Sequence, residues 1–423
     1  MLDFTFYSPT EVVFGRGAEA RTGDMVRKYG GSRVIVVYGE GSVVRSGALD
    51  RIVAQLEETG LAVLPYGGAM PNPHLSFARE GVRRALEFGA DFVLAVGGGS
   101  AIDAAKAIAH GVANPGIDIW QFWSQAEKLT RSTPVGVVLT ISAAGSETSM
   151  SAVLTNTELG LKRGLGTDFN RPKFALMNPE FTFAIPRYHL ACGIADIFMH
   201  TLDRYFAQEN INGDTPSETT DAIAEAILRT VIRNGPRVLA DPTDYHAQSE
   251  IMWCGSLSHN TLTGLGRTMD FSVHQLGHEL SGRFDVAHGA SLTTMWGAWA
   301  RFVAEKNPPS RMARLWRNVY VTDEIQDVAQ NMAADTNYTP YAYRFPVNAS
   351  DDVAAQYAID ATEAFFRQIE MPTNFMELGI GVQPPDVLDA LAESCVFFGK
   401  RRVGSYCPLD KADVLAIYTA ANK

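Results

Sequence analysis

The chain has 423 residues, is 46% hydrophobic and carries a formal net charge of −11. This length exceeds what a single hydrophobic core usually supports, so we expect two or three domains. The acidic balance argues against nucleic acid or an anionic membrane as a partner.

Targeting and redox signals are weak in this sequence. No stretch approaches the roughly 18 consecutive apolar residues that a membrane span needs. The first residues, MLDFTFYSPT, lack the basic and apolar regions of a signal peptide. The 4 Cys are scattered and form no CxxC pair, which is typical of reduced thiols. We therefore expect a cytoplasmic protein.

The first half alternates short β-branched runs with helical patterns. The predicted strands are Val34–Tyr38, Leu61–Tyr66, Phe92–Val96 and Val135–Leu139, and predicted helices cover Leu49–Thr59 and the segment from the glycines at 97–99 to Ala109. Strands that alternate with helices favour a parallel, doubly wound sheet. The sequence thus predicts a dinucleotide-binding α/β domain over residues 1–187.

Glycine-rich turns follow two of these strands. Gly97, Gly98, Gly99 and Ser100 lie between a strand and a helix, where backbone N–H groups and the helix dipole can hold a pyrophosphate. Gly39, Glu40 and Ser42 follow an earlier strand, where an adenosine ribose would lie. An ordinary turn explains either segment as well. A third small-residue turn, 140–147, also fits a helix N-cap.

After Arg187 the β-branched runs disappear and amphipathic helical patterns take over. The predicted helices are Leu190–Phe206, Thr219–Ile232, His246–Thr263, Met269–Arg283, Leu292–Glu305 and Val353–Ile369. We expect an all-helical domain over residues 188–423.

Two segments of this half predict a metal site. Asp196 and His200 are spaced i and i+4, so a helix presents both on one face, and His274 and His278 repeat that spacing. His288 follows shortly after. Imidazoles with one carboxylate and no thiolate suit a first-row divalent metal. A single histidine on an apolar helix is more often structural, so the prediction depends on the whole set.

The ordered motifs resemble the iron-containing (group III) alcohol dehydrogenase family, in particular its butanol dehydrogenase and aldehyde reductase branch. The matching segments are Pro71-Asn72-Pro73, GGGSAIDAAK at 97–106, AGSE at 144–147, GIAD at 193–196 with His200, HQLGHE at 274–279, and residues 285–289. The resemblance implies a Rossmann-like N-terminal domain, a helical C-terminal domain, and a site in the cleft between them, the plan shared with dehydroquinate synthase. It also implies a homodimer.

The resemblance assigns roles to individual residues. It implies one divalent metal, iron favoured and zinc possible, bound by Asp196, His200, His274 and His288. It places His278 beside the reacting centre as a proton relay and not as a ligand. For NAD(H) or NADP(H) the combined cofactor set is Gly39, Glu40, Ser42, Gly97, Gly98, Gly99, Ser100, Asp103, Thr140, Ser142, Lys162 and Thr182.

The implied reaction is hydride transfer between NAD(P)(H) and a small primary alcohol or aldehyde. Three features depart from the branch: Glu40 stands where a glycine is usual, Ser149 replaces an asparagine, and residues 330–348 look inserted. A carboxylate at position 40 favours NAD(H), because it repels a 2′-phosphate. Two alternatives stay open: a dehydroquinate synthase-like lyase, which needs basic residues around a substrate phosphate, and a metal-free nucleotide-binding relative.

Overall fold

The computed structural model describes residues 1–39, 41–208, 215–322, 325 and 349–423. Their contacts form two compact units, one of Tyr7–Pro186 with Pro242–Thr261 and one of Met1–Phe6, Arg187–Asp241 and Leu262–Lys423. The predicted fold class, an α/β domain followed by a helical one, is confirmed. The division into 1–187 and 188–423 stays a prediction, and the contacts group Pro242–Thr261 with the α/β unit. Glu40 and the apparent insertion at 330–348 lie outside the described residues.

The α/β unit is built on a parallel sheet of six strands in the order β1-β8-β5-β4-β2-β3. Its strands are β1 (Glu11–Phe14), β2 (Arg33–Tyr38), β3 (Ala62–Gly67), β4 (Phe92–Gly97), β5 (Val135–Leu139) and β8 (Phe174–Met177), and β6 (Ser151–Asn156) and β7 (Leu161–Gly166) form an antiparallel hairpin. Helices α1 (Thr22–Lys28), α2 (Ser42–Arg45), α3 (Ala48–Glu58), α4 (Leu75–Phe88), α5 (Gly99–Ala113) and α6 (Trp120–Trp123) complete the unit up to residue 186. The four predicted strands all belong to this sheet.

Both faces of the sheet are buried, which explains why its central strands are continuous apolar runs. Every residue of β4 is buried. One face packs with α1 and α3 through residues such as Val26 and Ile52. The other face packs with α4 and α5 through residues such as Ala78 and Ile108.

The strand order fixes where a ligand can approach this unit. From β2 the chain moves outward to β3, and it then returns to β4 on the opposite side of β2. The carboxyl ends of β2 and β4 therefore border a topological switch point, where α/β sheets bind ligands. Tyr38 of β2 pairs with Val96, and Gly97 of β4 pairs with Leu139. The glycine-rich turns after β2 and β4 thus lie at one edge.

The rest of the described chain is helical. The helices are α7 (Arg187–Tyr205), α8 (Glu218–Ala240), α9 (Tyr245–His259), α10 (Ser272–Phe284), α11 (His288–Lys306), α12 (Ser310–Leu315), α13 (Asp351–Gln368), α14 (Phe375–Leu378), α15 (Pro385–Cys395) and α16 (Lys411–Ala421). Beyond Met177 the described residues contain no further strand, only an isolated bridge between Val403 and Leu409. None of the described helices has the length and apolar character needed to cross a bilayer.

All six helices predicted for the second half are present, with boundaries shifted by one to four residues except at the end of α8, which extends to Ala240. α9 is the exception in packing, because its residues belong to the α/β unit. In the helical unit, α7 packs against α8 and α11, and α10 packs against α11. These contacts bring three helices with candidate metal ligands together.

Candidate metal centre and nucleotide cradle

Helix α7 carries two of the candidate ligands on its buried side. The side chains of Asp196 and His200 are only 5% and 3% exposed. Their i, i+4 spacing places His200 Nδ1 3.4 Å from Asp196 Oδ1. Nearly all of α7 is buried, so a polar cluster here has to be satisfied by partners within the protein or by a bound ion.

The other two candidates come from α10 and α11. His274 Nε2 and His288 Nε2 each lie 3.7 Å from Asp196 Oδ1. The imidazole rings of His200 and His274 stack with centroids 4.4 Å apart, and those of His274 and His288 are 5.5 Å apart. A ring nitrogen of each of the three histidines thus lies within 3.7 Å of Asp196 Oδ1.

The spacing of these atoms fits a bound metal. Two atoms that bind a metal at about 2.1 Å with a tetrahedral angle lie about 3.4 Å apart. Asp196, His274 and His288 each offer a ligand atom, and these atoms lie within 4.8 Å of one another. Among the described residues, neither Asp196 Oδ1 nor His274 Nε2 has a hydrogen-bond partner, although both are buried. A divalent cation would satisfy both atoms at once.

Two carboxylates lie beside the imidazole of His274. Burial lowers the pKa of this imidazole, but the neighbouring carboxylates of Asp196 and Asp203 outweigh burial and raise the pKa overall. Asp203 Oδ2 accepts a hydrogen bond of 2.7 Å from His274 Nδ1. Asp203 was not among the residues predicted from the sequence. Its signal was available, because it continues the i, i+4, i+7 row of Asp196 and His200 on α7.

His278 lies beside the cluster without joining it. It follows His274 by one turn of α10 and is half-buried. Its ring centroid is 5.1 Å from that of His288 and 6.4 Å from that of His274. This position suits a neighbour of the metal site that also reaches solvent.

The glycine-rich turn after β4 forms the second site. Gly98 is the N-cap of α5, and Gly98, Gly99 and Ser100 are partly exposed while Gly97 is buried. The first N–H groups of α5 have no partner within the helix, so they are available to an anion. A Cβ on Gly98 would lie 2.1 Å from Ile141 Cγ2. Only glycine at position 98 therefore allows the turn after β5 to pack this closely on the glycine-rich turn after β4, which we call the nucleotide cradle.

A buried ionic network joins this cradle to the turn after β5. Lys106 Nζ donates hydrogen bonds to the hydroxyl and carbonyl oxygens of Ser146 and to the carbonyl oxygens of Ser149 and Ser151. Asp103 accepts hydrogen bonds from Ser146 Oγ and from the backbone N–H of Val153. Burial lowers the pKa of Lys106 to about 8 and raises that of Asp103. Both oxygens of Asp103 thus bind protein groups, and its role as a cofactor contact stays a prediction.

The remaining predicted cofactor residues are spread over the α/β unit. Gly39 directly follows β2, and the backbone of Ser42 begins α2. The backbone N–H of Thr140 donates to Gly97 O at 3.1 Å. Ser142 Oγ is buried and lacks a hydrogen-bond partner within the described part of the chain, as expected of a ligand contact.

Two further residues that were predicted to contact the cofactor donate side-chain hydrogen bonds to oxygen atoms of the protein. Lys162 Nζ donates to Asn72 Oδ1 at 2.9 Å. Thr182 Oγ1 donates to Pro179 O at 2.7 Å. The hydroxyl of Thr182 is fully buried in a local turn.

Comparison with protein families gives two adjoining matches. Residues 9–179 match the model described as iron-containing alcohol dehydrogenase, and residues 190–422 match the C-terminal model of the same family. The chain belongs to the iron-containing alcohol dehydrogenase family. The predicted resemblance is thereby confirmed.

Individual members of the iron-containing alcohol dehydrogenase family are similar over the whole chain. NADH-dependent butanol dehydrogenase A of Clostridium acetobutylicum is 36% identical over 99% of both chains. The NADPH-dependent aldehyde reductase YqhD of Escherichia coli is 32% identical over 93% of this chain and 94% of that protein. Among solved structures, NADH-dependent butanol dehydrogenase A of Thermotoga maritima superposes with a TM-score of 0.87 at 28% identity, covering 100% of this chain and 99% of that one.

Proposed function

We propose that this protein is a metal-dependent oxidoreductase that reduces small aldehydes to primary alcohols with NAD(P)H and catalyses the reverse oxidation. The observation that carries the proposal is the convergence of His200, His274 and His288 on Asp196 Oδ1 at 3.4–3.7 Å. The names of the relatives, butanol dehydrogenase and aldehyde reductase, support the same reaction class.

The metal would be held by Asp196, His200, His274 and His288. Three neutral imidazoles and one carboxylate leave a divalent ion with a net positive charge, and iron is favoured over zinc by family membership alone. When bound, the metal would supply Lewis acidity at the substrate oxygen and the nicotinamide a hydride. His288, whose side chain is 25% exposed, marks the accessible side of the cluster.

The α/β unit would bind the nucleotide. The exposed N-terminus of α5 at Gly98, Gly99 and Ser100 is suited to the pyrophosphate, because its N–H groups are free of helical partners. The unsatisfied hydroxyl of Ser142 and the turn at Gly39 extend this surface. We expect a preference for NADH, since Glu40 carries a charge that a 2′-phosphate would meet unfavourably.

His278 would move the proton. An imidazole titrates near neutral pH, so it can pass a proton between the substrate oxygen and water. Replacing His278 with Gln should lower turnover and change its pH dependence while metal content stays at the parent value. An unchanged pH profile would show that His278 only lines the site and does not transfer the proton.

The substrate would be small and uncharged. Phe271 contacts the cluster, with its ring centroid 4.3 Å from that of His274. A carboxylate or phosphate substrate would require additional cations here. The guanidinium carbon of Arg204 lies 4.6 Å from the ring centroid of Phe271. This guanidinium already donates a hydrogen bond to the backbone carbonyl oxygen of His200. We therefore expect aldehydes of a few carbons to react best.

The test is to follow nicotinamide absorbance while unbranched aldehydes of increasing length are added, before and after metal removal. Aldehyde-dependent NADH oxidation that disappears on chelation and returns with metal supports the proposal. A lyase-type relative would show no net NADH oxidation, and a metal-free binding protein would bind NADH without turnover. A homodimer and a cytoplasmic location stay predictions, and light scattering tests the first.

A further inference from the structure

Asp203 lies on the same face of α7 as the two ligands of that helix. It follows Asp196 and His200 at i+7 and i+3, and its side chain is fully buried. Its Oδ2 accepts two hydrogen bonds from one residue of α10: 3.0 Å from the backbone N–H of His274 and 2.7 Å from His274 Nδ1. One carboxylate oxygen thus holds both the backbone and the ring of a candidate ligand.

The bond to the ring selects a tautomer. An ionised carboxylate can only accept, so Nδ1 has to carry the proton of a neutral imidazole. The lone pair then belongs to Nε2, the atom that faces Asp196 at 3.7 Å. A metal ligand needs this lone pair, and a hydrogen bond on the opposite nitrogen is the usual way to fix it.

The bond to the backbone places the helix. His274 is the third residue of α10, and the N-cap residue Phe271 makes no side-chain cap. Asp203 therefore satisfies, from a different helix, one of the N–H groups that α10 leaves unpaired. Asp270 supplies the companion bond, with Oδ1 accepting from the backbone N–H of Ser272 at 2.7 Å.

We propose that Asp203 is a positioning residue that fixes the tautomer and ring orientation of His274 and thereby sets metal affinity. This role rests on the metal site of the proposed function. Partners of this kind typically change metal affinity by about 10–100-fold when removed. Asp270 contacts the same helix end without touching the imidazole, which makes it the matched control.

The experiment compares Co²⁺ affinity by competition with a chelator in the parent, Asp203→Leu, Asp203→Asn and Asp270→Asn. Leucine removes the acceptor at similar volume, whereas asparagine keeps an acceptor oxygen without the charge. We expect affinity to fall by about 10–100-fold in the leucine variant, by less in the asparagine variant, and to stay near the parent value in Asp270→Asn.

A second measurement uses apo-protein, so that it does not depend on bound metal. Nitrogen NMR of labelled histidine should report Nδ1–H for His274 in the parent and a mixture of tautomers in Asp203→Leu, with the signal assigned from His274→Gln. A folded leucine variant with parental Co²⁺ affinity and an unchanged tautomer overturns the role of Asp203. If the parent itself binds no Co²⁺ while its tautomer depends on Asp203, the proposed metal function fails and the affinity role falls with it.

Discussion

The contact between α11 and α7 offers a sharp test of the metal site. Gly289 follows the ligand His288, and a Cβ at this position would lie 2.1 Å from the carbonyl oxygen of Cys192 and 2.8 Å from its carbonyl carbon. These are backbone atoms of α7, so no side-chain rotation relieves the clash. An ordinary carbon–oxygen contact is about 3.3 Å, so Gly289→Ala has to separate the two helices locally by about 1 Å.

This displacement moves His288 away from Asp196. Metal sites tolerate ligand distances only within about 0.2 Å, and overpacking of this kind costs about 1–3 kcal/mol in unfolding free energy. We expect Gly289→Ala to weaken metal binding at least about tenfold, which corresponds to about 1.4 kcal/mol. Chelator competition gives the affinity, and urea unfolding of the apo-protein gives the stability.

Gly297 provides the control in the same helix. A Cβ there would meet Glu363 Oε1 and Arg301 Nη1, which are the ends of flexible side chains. Both substitutions add one methyl group to α11, so a difference in metal affinity reflects what that methyl group meets. Gly297→Ala should keep parental metal affinity. Equal affinity in both variants would refute the argument that the approach of α11 to α7 sets the ligand geometry.

Three further predictions concern the α/β unit. Lys106→Met removes the ammonium that holds two backbone carbonyls of the turn after β5 and the first carbonyl of β6, so NADH should bind at least about tenfold more weakly by fluorescence titration, with Co²⁺ affinity unchanged. Burial, together with the charge of Lys106, lowers the pKa of His110 to about 4 despite the hydrogen bond that His110 Nε2 donates to Asn170 Oδ1, whereas the unfolded chain titrates near 6.5. The contribution of His110 to stability is therefore present above pH 6.5 and is lost as the pH falls toward 4. Between about pH 7 and about pH 5, the free energy of unfolding measured in urea should fall by about 2 kcal/mol more for the parent than for His110→Gln. Glu40→Gly should shift the ratio of kcat/KM values toward NADPH by about tenfold or more, and an unchanged ratio would remove the argument from its charge.

The sequence predicted those parts of the fold that local patterns determine. The strands β2, β4 and β5 are β-branched runs buried on both faces, and helical spacing predicted α7 and α10 with their ligand pairs. β8 was missed because Phe174–Met177 is short and contains no β-branched residue. Its strand conformation comes from pairing with β1 and β5, which are far away in sequence.

The candidate site shows the same limit. The ligand set was predictable because each pair repeats a helical spacing. The spacing of Asp203 places it on the ligand face of α7, but its role was not predictable, because that role depends on a hydrogen bond to a residue on another helix. Asp103 was predicted as a cofactor contact, and the structure gives both of its oxygens partners in the turn after β5 and in β6. Long-range partners of polar groups, unlike helical faces, leave no pattern in a single sequence.

The central claim is that one divalent ion held by His274 and its neighbours is required for aldehyde reduction. The direct measurement is metal per chain, by mass spectrometry, on parent, His274→Ala and His246→Ala proteins purified side by side, with aldehyde-dependent NADH oxidation recorded on the same samples. His246 is the control, because it is exposed on α9. We predict one ion and full activity in the parent and in His246→Ala, and neither in His274→Ala. A His274→Ala protein that turns over aldehyde at the parental rate would contradict the claim.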